Sequence, residues 1–139
     1  MSSPVSWQDP AAVALMLDEL ETWAVVGLSG DTSRTAYSIA SLLQSRGKRI
    51  VPIHPAAPTV LGQQGYATLA DVPFAVDVVD VFRRSSAAGE FADQAVAVGA
   101  RAVWFQLGVV DEAAFERTVA AGVPMVMDTC PAIEWRARG

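Results

Sequence analysis

Cysteine is almost absent from this chain: Cys130 is the single one among 139 residues. One thiol excludes an internal disulfide and fits a reducing cytoplasm. Histidine is equally scarce, with His54 alone. Neither a histidine-based metal site nor a nucleophile–histidine–acid triad can therefore be assembled from the sequence. Charged residues make up 18%, and ten basic residues face fifteen acidic ones, a net charge of −5. General nucleic-acid binding needs a basic face that neutralises phosphates, and this balance argues against it. Long apolar runs are missing as well. Asp77, Asp80, Gln106 and Gly108 interrupt the candidates, so no membrane span is expected. The N-terminus carries no basic stretch followed by an apolar one, which argues against a signal peptide.

What the chain does have is apolar content, 52% of its residues, without a low-complexity tract. That suits one folded domain with a real core. Met1–Gln8 read as a flexible arm, and 9–139 as the domain. Asp9-Pro10 is an N-cap followed by proline at the first helical position. Val13, Met16, Leu17 and Leu20 then recur at helical spacing up to about Glu21. Short runs rich in β-branched residues predict strands at Trp23–Val26, Arg49–Ile53, Val76–Phe82, Ala102–Phe105 and Pro124–Met127. Helical patterns lie between them: one from Thr35, one marked by Phe91, Ala95, Val96 and Val98 after a loop and cap begun by Arg83-Arg84-Ser85, and one from Asp111, stopping near Gly47, Gly99 and Gly122. Tyr66–Pro73 is read as a short extended or helical piece, and the tail after Cys130 as a short helix.

Strands alternating with helices about five times imply an α/β fold with a parallel sheet covered on both faces. Ligands of such folds bind beyond the carboxyl ends of the strands, where strand order reverses. The residues that come directly after each strand are therefore the site candidates. The first such turn, Gly27-Leu28-Ser29-Gly30, leads from a strand to a helix N-terminus. Glycine lets backbone approach a phosphate, and the free amides and dipole of the helix favour an anion. It is neither a full G-x-G-x-x-G nor a Walker A loop. Arg34 stands in the same turn, where a guanidinium can clamp phosphate oxygens with paired donors. A dinucleotide site for NAD places an acid after the second strand. Ser45–Ala57 has no Asp or Glu and offers Lys48, Arg49 and His54 instead, which disfavours NAD and leaves room for a ligand with extra ribose phosphate.

Among the remaining candidates, His54, flanked by prolines, is read as lining a pocket, and one of Arg83 and Arg84 as meeting a phosphate or a base. Asp80 interrupts a run that should be buried, so an arginine or loop amides are expected to satisfy it; Asp77 is expected to be exposed. Gln106-Leu107-Gly108 offers one amide in apolar surroundings. Cys130 is read as a small buried hydrophobe, with a reactive thiol as the alternative. No acid pair and no nucleophile with a base emerges, so a binding site without reaction machinery is expected.

Several segments then match a known family in order: Val25-Val26-Gly27-Leu28-Ser29, Ile50-Val51-Pro52-Ile53-His54-Pro55, Asp77-Val78-Val79-Asp80-Val81-Phe82-Arg83-Arg84, Val103-Trp104-Phe105-Gln106-Leu107-Gly108 and Met127-Asp128-Thr129-Cys130. They resemble the small stand-alone bacterial CoA-binding proteins, which are similar to the N-terminal domain of the succinyl-CoA synthetase alpha subunit. The resemblance implies a Rossmann-like three-layer α/β/α domain with a five-stranded, mostly parallel sheet that binds coenzyme A. It also implies a diphosphate on Gly27, Leu28 and Ser29, an adenosine part held by Arg34, Pro55, Phe82 and Arg83, and a thiol-bearing arm along Gln106, Leu107 and Gly108. His54 and Thr129 stand where the family usually has asparagine and arginine. The synthetase's catalytic histidine lies in a different domain, so ligase activity is not implied. The resulting expectation is non-catalytic binding of CoA or a short acyl-CoA in the cytoplasm, with room for a homodimer or a partner enzyme subunit. The alternatives are an NADP- or other nucleotide-binding enzyme or subunit, and an interaction module without ligand.

Overall fold

A computed structural model describes residues 6–138; the first five residues of the expected arm lie outside them. In it β1 (Thr22–Val26), β2 (Arg49–Ile53), β3 (Val78–Val81), β4 (Ala102–Phe105) and β5 (Met125–Val126) form one sheet in the order β2-β1-β3-β4-β5, every neighbouring pair parallel. The helices are α1 (Pro10–Ala14), α2 (Thr35–Ser45), α3 (Ser85–Ala97), α4 (Glu112–Ala120) and α5 (Pro131–Ala137). A strand of such a sheet is buried on both faces, which is why each reads as an unbroken apolar run. Successive residues of β1 show the alternation. Trp23 and Val25 join the core under α1, α2 and α5, and Ala24 and Val26 join the core under α3 and α4. The fold is thus a three-layer, Rossmann-like α/β/α sandwich.

The two cores differ in side-chain size. Under α3 the helix presents Ala88, Ala92 and Ala95, all fully buried, so helix and sheet approach closely. The opposite core holds Trp23 and Trp104, whose rings lie 5.8 Å apart and tilted. Each indole N–H is satisfied, Trp23 donating to Leu20 O at 3.0 Å and Trp104 to Thr129 O at 2.9 Å. That removes the usual penalty for burying an indole. In β-strand register, Val26 lies beside Ile53 and Val81, and Val81 beside Phe105. The ends of four strands are therefore level, and the loops leaving them meet along one edge.

Several expectations change in detail. The helix from Asp9 is α-helical only to Ala14 and closes as a π turn, Leu15–Glu19, with Leu20 N–H bonded to Leu15 O at 3.2 Å. Trp7 and Gln8, assigned to the flexible arm, are tied to the sheet. Met127 N–H donates to Trp7 O at 2.9 Å, and Gln8 Nε2 donates to Met127 O at 2.9 Å. Tyr66 adds a parallel bridge beside Ile53, and the piece after it is one 3₁₀ turn, Leu69–Asp71. β3 and β5 are shorter than the apolar runs that contain them. Asp77 is half-buried rather than exposed: Oδ2 accepts the Glu21 and Thr22 amides at 3.2 and 3.0 Å, fixing the entry to β1.

Asp80 departs most. It is fully buried between Val25 and Trp104 in register, and neither carboxyl oxygen has a hydrogen-bond partner among the described residues. Neither the arginine nor the loop amides expected for it are there. Burial without compensation pushes this carboxyl well above the usual carboxylate range, so it is held as the neutral acid. The unfolded chain ionises Asp80 above about pH 4, while the native state keeps the proton. Stability is therefore lost as pH rises from there, until the buried group ionises in place. We expect Asp80→Asn to remove this contribution: thermal unfolding at pH 4.5 and 7.5 should show wild type losing more stability than the variant over that interval. Equal losses would show that Asp80 does not titrate this way.

Candidate functional site

The site is built on the turn after β1. Gly27 has φ +96° and donates its N–H to Ile53 O at 2.8 Å. A Cβ there would lie 3.0 Å from Phe82 O, the backbone leaving β3. Only glycine allows both the left-handed turn and this approach. The turn carries Leu28 back into the core, fully buried under α1 and α2. Leu28 can offer a ligand only its main chain; its side chain lines none of the cavities along this edge. Beyond it, Asp31 Oδ1 accepts from Ser33 N and Oγ at 3.0 and 2.6 Å, and Arg34 Nε lies 3.5 Å from Oδ2. The Ser33 bonds, helped by the Arg34 charge, hold this exposed carboxyl below the usual carboxylate range.

α2 starts after Arg34 with no side-chain cap, whereas Asp9 and Asp111 cap α1 and α4 by accepting the Ala12 and Ala114 amides at 3.1 and 3.0 Å. The first residues of α2, Thr35 and Ala36, line a cavity of about 340 Å³ together with Gly27, Ser29, Arg34, His54, Phe82 and Arg83. A smaller cavity of about 210 Å³ adjoins it, bounded by His54, Pro55, Ala67, Glu90, Phe91 and Arg83. On the other side a cavity of about 480 Å³ lies between Phe82, Arg83, Gln106, Leu107, Gly108 and the start of α5. Arg83 lines all three. They form one groove along the carboxyl ends of the strands.

His54 faces two of these spaces. Its Nδ1 accepts the Ala56 N–H at 3.1 Å, so in the neutral ring the proton sits on Nε2, leaving that donor for the groove. At the far end Gln106 is 5% exposed, and its Oε1 has no partner among the described residues. The loop carrying it is fixed from two sides: Asp128 Oδ1 accepts the Gly108 N–H at 2.8 Å, and Ser85 Oγ accepts the Val110 N–H at 2.9 Å. Asp128 adopts φ +61°, a strained conformation that this bond helps to hold.

Of the residues chosen from sequence, the structure brings Gly27, Ser29, Arg34, His54, Phe82 and Arg83 around one cavity, with Pro55 in the second and Gln106, Leu107 and Gly108 in the third. Arg84 lines only the third. Sequence reasoning missed Thr35, Ala36, Glu90, Phe91 and Arg136. The first two belong to the helix N-terminus already read as favouring an anion, whereas Arg136 is brought to the edge by α5. Thr129 is not in the groove. Its Oγ1 donates to Glu134 Oε2 at 2.7 Å, and its carbonyl receives Trp104. Among the described residues no group of three or more His, Cys, Asp or Glu is placed to hold a metal, and no helix is long and apolar enough to cross a membrane.

Residues 21–136 match the protein family described as the CoA binding domain. The chain belongs to that family. It is 31% identical over 120 residues to YneT of Bacillus subtilis (strain 168), covering 86% of this chain and 89% of YneT. A Pyrococcus horikoshii OT3 protein of solved structure is 27% identical, with a TM-score of 0.88 over all of both chains. The apo form of acetyl-coenzyme A synthetase 1 from Ca. Korarchaeum cryptofilum superimposes with a TM-score of 0.68 at 24% identity, covering 79% of this chain and 26% of that enzyme. This last likeness shows the fold alone: the CoA-binding domain fold found here as 139 residues is a fraction of that chain. The substitution Gly27→Ala, which strains φ and meets Phe82 O, is expected to lower stability by about 1–3 kcal/mol in urea denaturation. Gly30→Ala, where an added Cβ meets nothing within 4 Å, serves as the control and should cost much less.

Proposed function

We propose that this CoA-binding domain holds coenzyme A, or a short acyl-CoA, along the groove and performs no reaction on it. The observation that carries the reading is the continuity of the three cavities through Arg83, which suits a long, jointed ligand rather than a compact one. The middle cavity offers what a diphosphate needs: the Gly27–Ser29 turn, the uncapped start of α2 and the Arg34 guanidinium. The smaller cavity, with the flat apolar surfaces of Pro55 and Phe91 beside His54, suits an adenine. Gln106 Oε1 is a buried acceptor wanting a donor, and the amides of the pantetheine arm are such donors. The stretch that comes directly after β2, His54–Ala57, has no acid to hold a ribose 2′-hydroxyl, which speaks against NAD. A cytoplasmic setting and a small-molecule partner, not nucleic acid or membrane, belong to the same proposal. An association with a second copy or an enzyme subunit is compatible with it.

Calorimetry with CoA, acetyl-CoA, NAD and NADP tests the reading. CoA or acetyl-CoA should bind most tightly; tighter binding of NADP would overturn it. A protein stabilised by no adenine nucleotide would instead be an interaction module. Within the reading, Arg83→Ala should weaken CoA by about tenfold or more, the worth of a charge-assisted hydrogen bond. Dephospho-CoA should lose less. Equal losses would remove the ribose phosphate from Arg83.

A further inference from the structure

Cys130 is the chain's only thiol, and the structure sets it where the proposed ligand would carry its own. It lies at the start of α5, buried to 7% exposure as its small-hydrophobe reading expects, and lines the 480 Å³ cavity together with Gln106, Leu107 and Arg83. Gln106 lines the same cavity, and its buried amide oxygen has no partner among the described residues. That oxygen is an independent sign that an N–H donor from outside belongs there. Leu107 is 57% exposed at the rim, giving apolar surface for an aliphatic arm. Arg83, Arg84 and Arg136 surround the opening, a field that favours an anionic reactant and stabilises a departing thiolate.

From this juxtaposition we propose that Cys130 is a thiol–disulfide exchange site for the thiol end of coenzyme A, loaded from CoA disulfide bound in the groove. The inference rests on the proposed CoA binding and adds a covalent step to it. Cys130 gives its proton to water, and the thiolate Sγ attacks one sulfur of the CoA disulfide in line with the S–S bond. That bond breaks as the Cys130–CoA bond forms. The second CoA leaves as a thiolate and takes up a proton. One disulfide is consumed and one is made, so no further oxidant is required. In this role the domain is a reversible carrier of CoA in its oxidised form, and a reduced thiol in excess discharges it.

The test uses the full chain. After incubation with CoA disulfide, intact-mass spectrometry should show one CoA added per chain, removed by dithiothreitol and absent from Cys130→Ala. Hydroxyethyl disulfide, which cannot occupy the phosphate turn, should react more slowly by at least about tenfold, the advantage expected of a held reactant. Saturating desulfo-CoA should suppress the reaction with CoA disulfide. No adduct, or equal rates for the two disulfides, overturns the proposal if calorimetry on the same preparation still records CoA binding. If calorimetry records none, the CoA reading and the exchange site fall together.

Discussion

The strand order constrains everything else. β1 lies between β2 and β3, and the chain leaves it toward α2 on one face, while the chain leaving β3 turns toward α3 on the other. Two connections that depart in opposite directions from adjacent strands must part at their common edge, and the crevice between them is the groove. Gly27 is where this geometry is tightest, because the backbones leaving β1 and β3 nearly touch there. The separation that admits a ligand above this point depends on that contact below it.

Charge is distributed to match. The chain is acidic overall, yet Arg34, Arg83, Arg84 and Arg136 all line the groove. Other basic residues serve packing instead. The Arg49 guanidinium lies 3.8 Å from the Phe74 ring centre, and that of Arg46 lies 4.8 Å from Trp135. Net charge therefore says little about the ligand, since the field in the crevice is set by the few arginines that the topology collects there.

How far the sequence revealed this depended on whether a residue's environment is local. Strand and helix positions were legible because apolar runs and stop signals are local: Gly47, Gly99 and Gly122 each come after a helix with positive φ, as expected of capping glycines. The residues after each strand were legible as site candidates because parallel topology brings those points together. The burial of the Leu28 side chain was not legible because the turn reverses which way a side chain faces immediately after the strand. Asp80 misled because a charge in an apolar run is assumed to find a partner, and a neutral acid was not considered. The attachments of Trp7 and Tyr66 to the sheet were not legible because they are made by main chain, on which side-chain patterns are silent.

Those two backbone attachments bear on the rims of the sheet. Tyr66 N–H donates to Pro52 O on the outer side of β2, and Trp7 O receives Met127 N–H just past β5. Pro52, within β2, has no amide hydrogen to offer an intruding strand. Each border is thus partly closed by the molecule's own irregular segments. A foreign chain seeking to extend the sheet must first strip away Tyr66 or Trp7, so self-association by strand addition is opposed at both ends, and helical surfaces are left as the accessible ground for contact between copies.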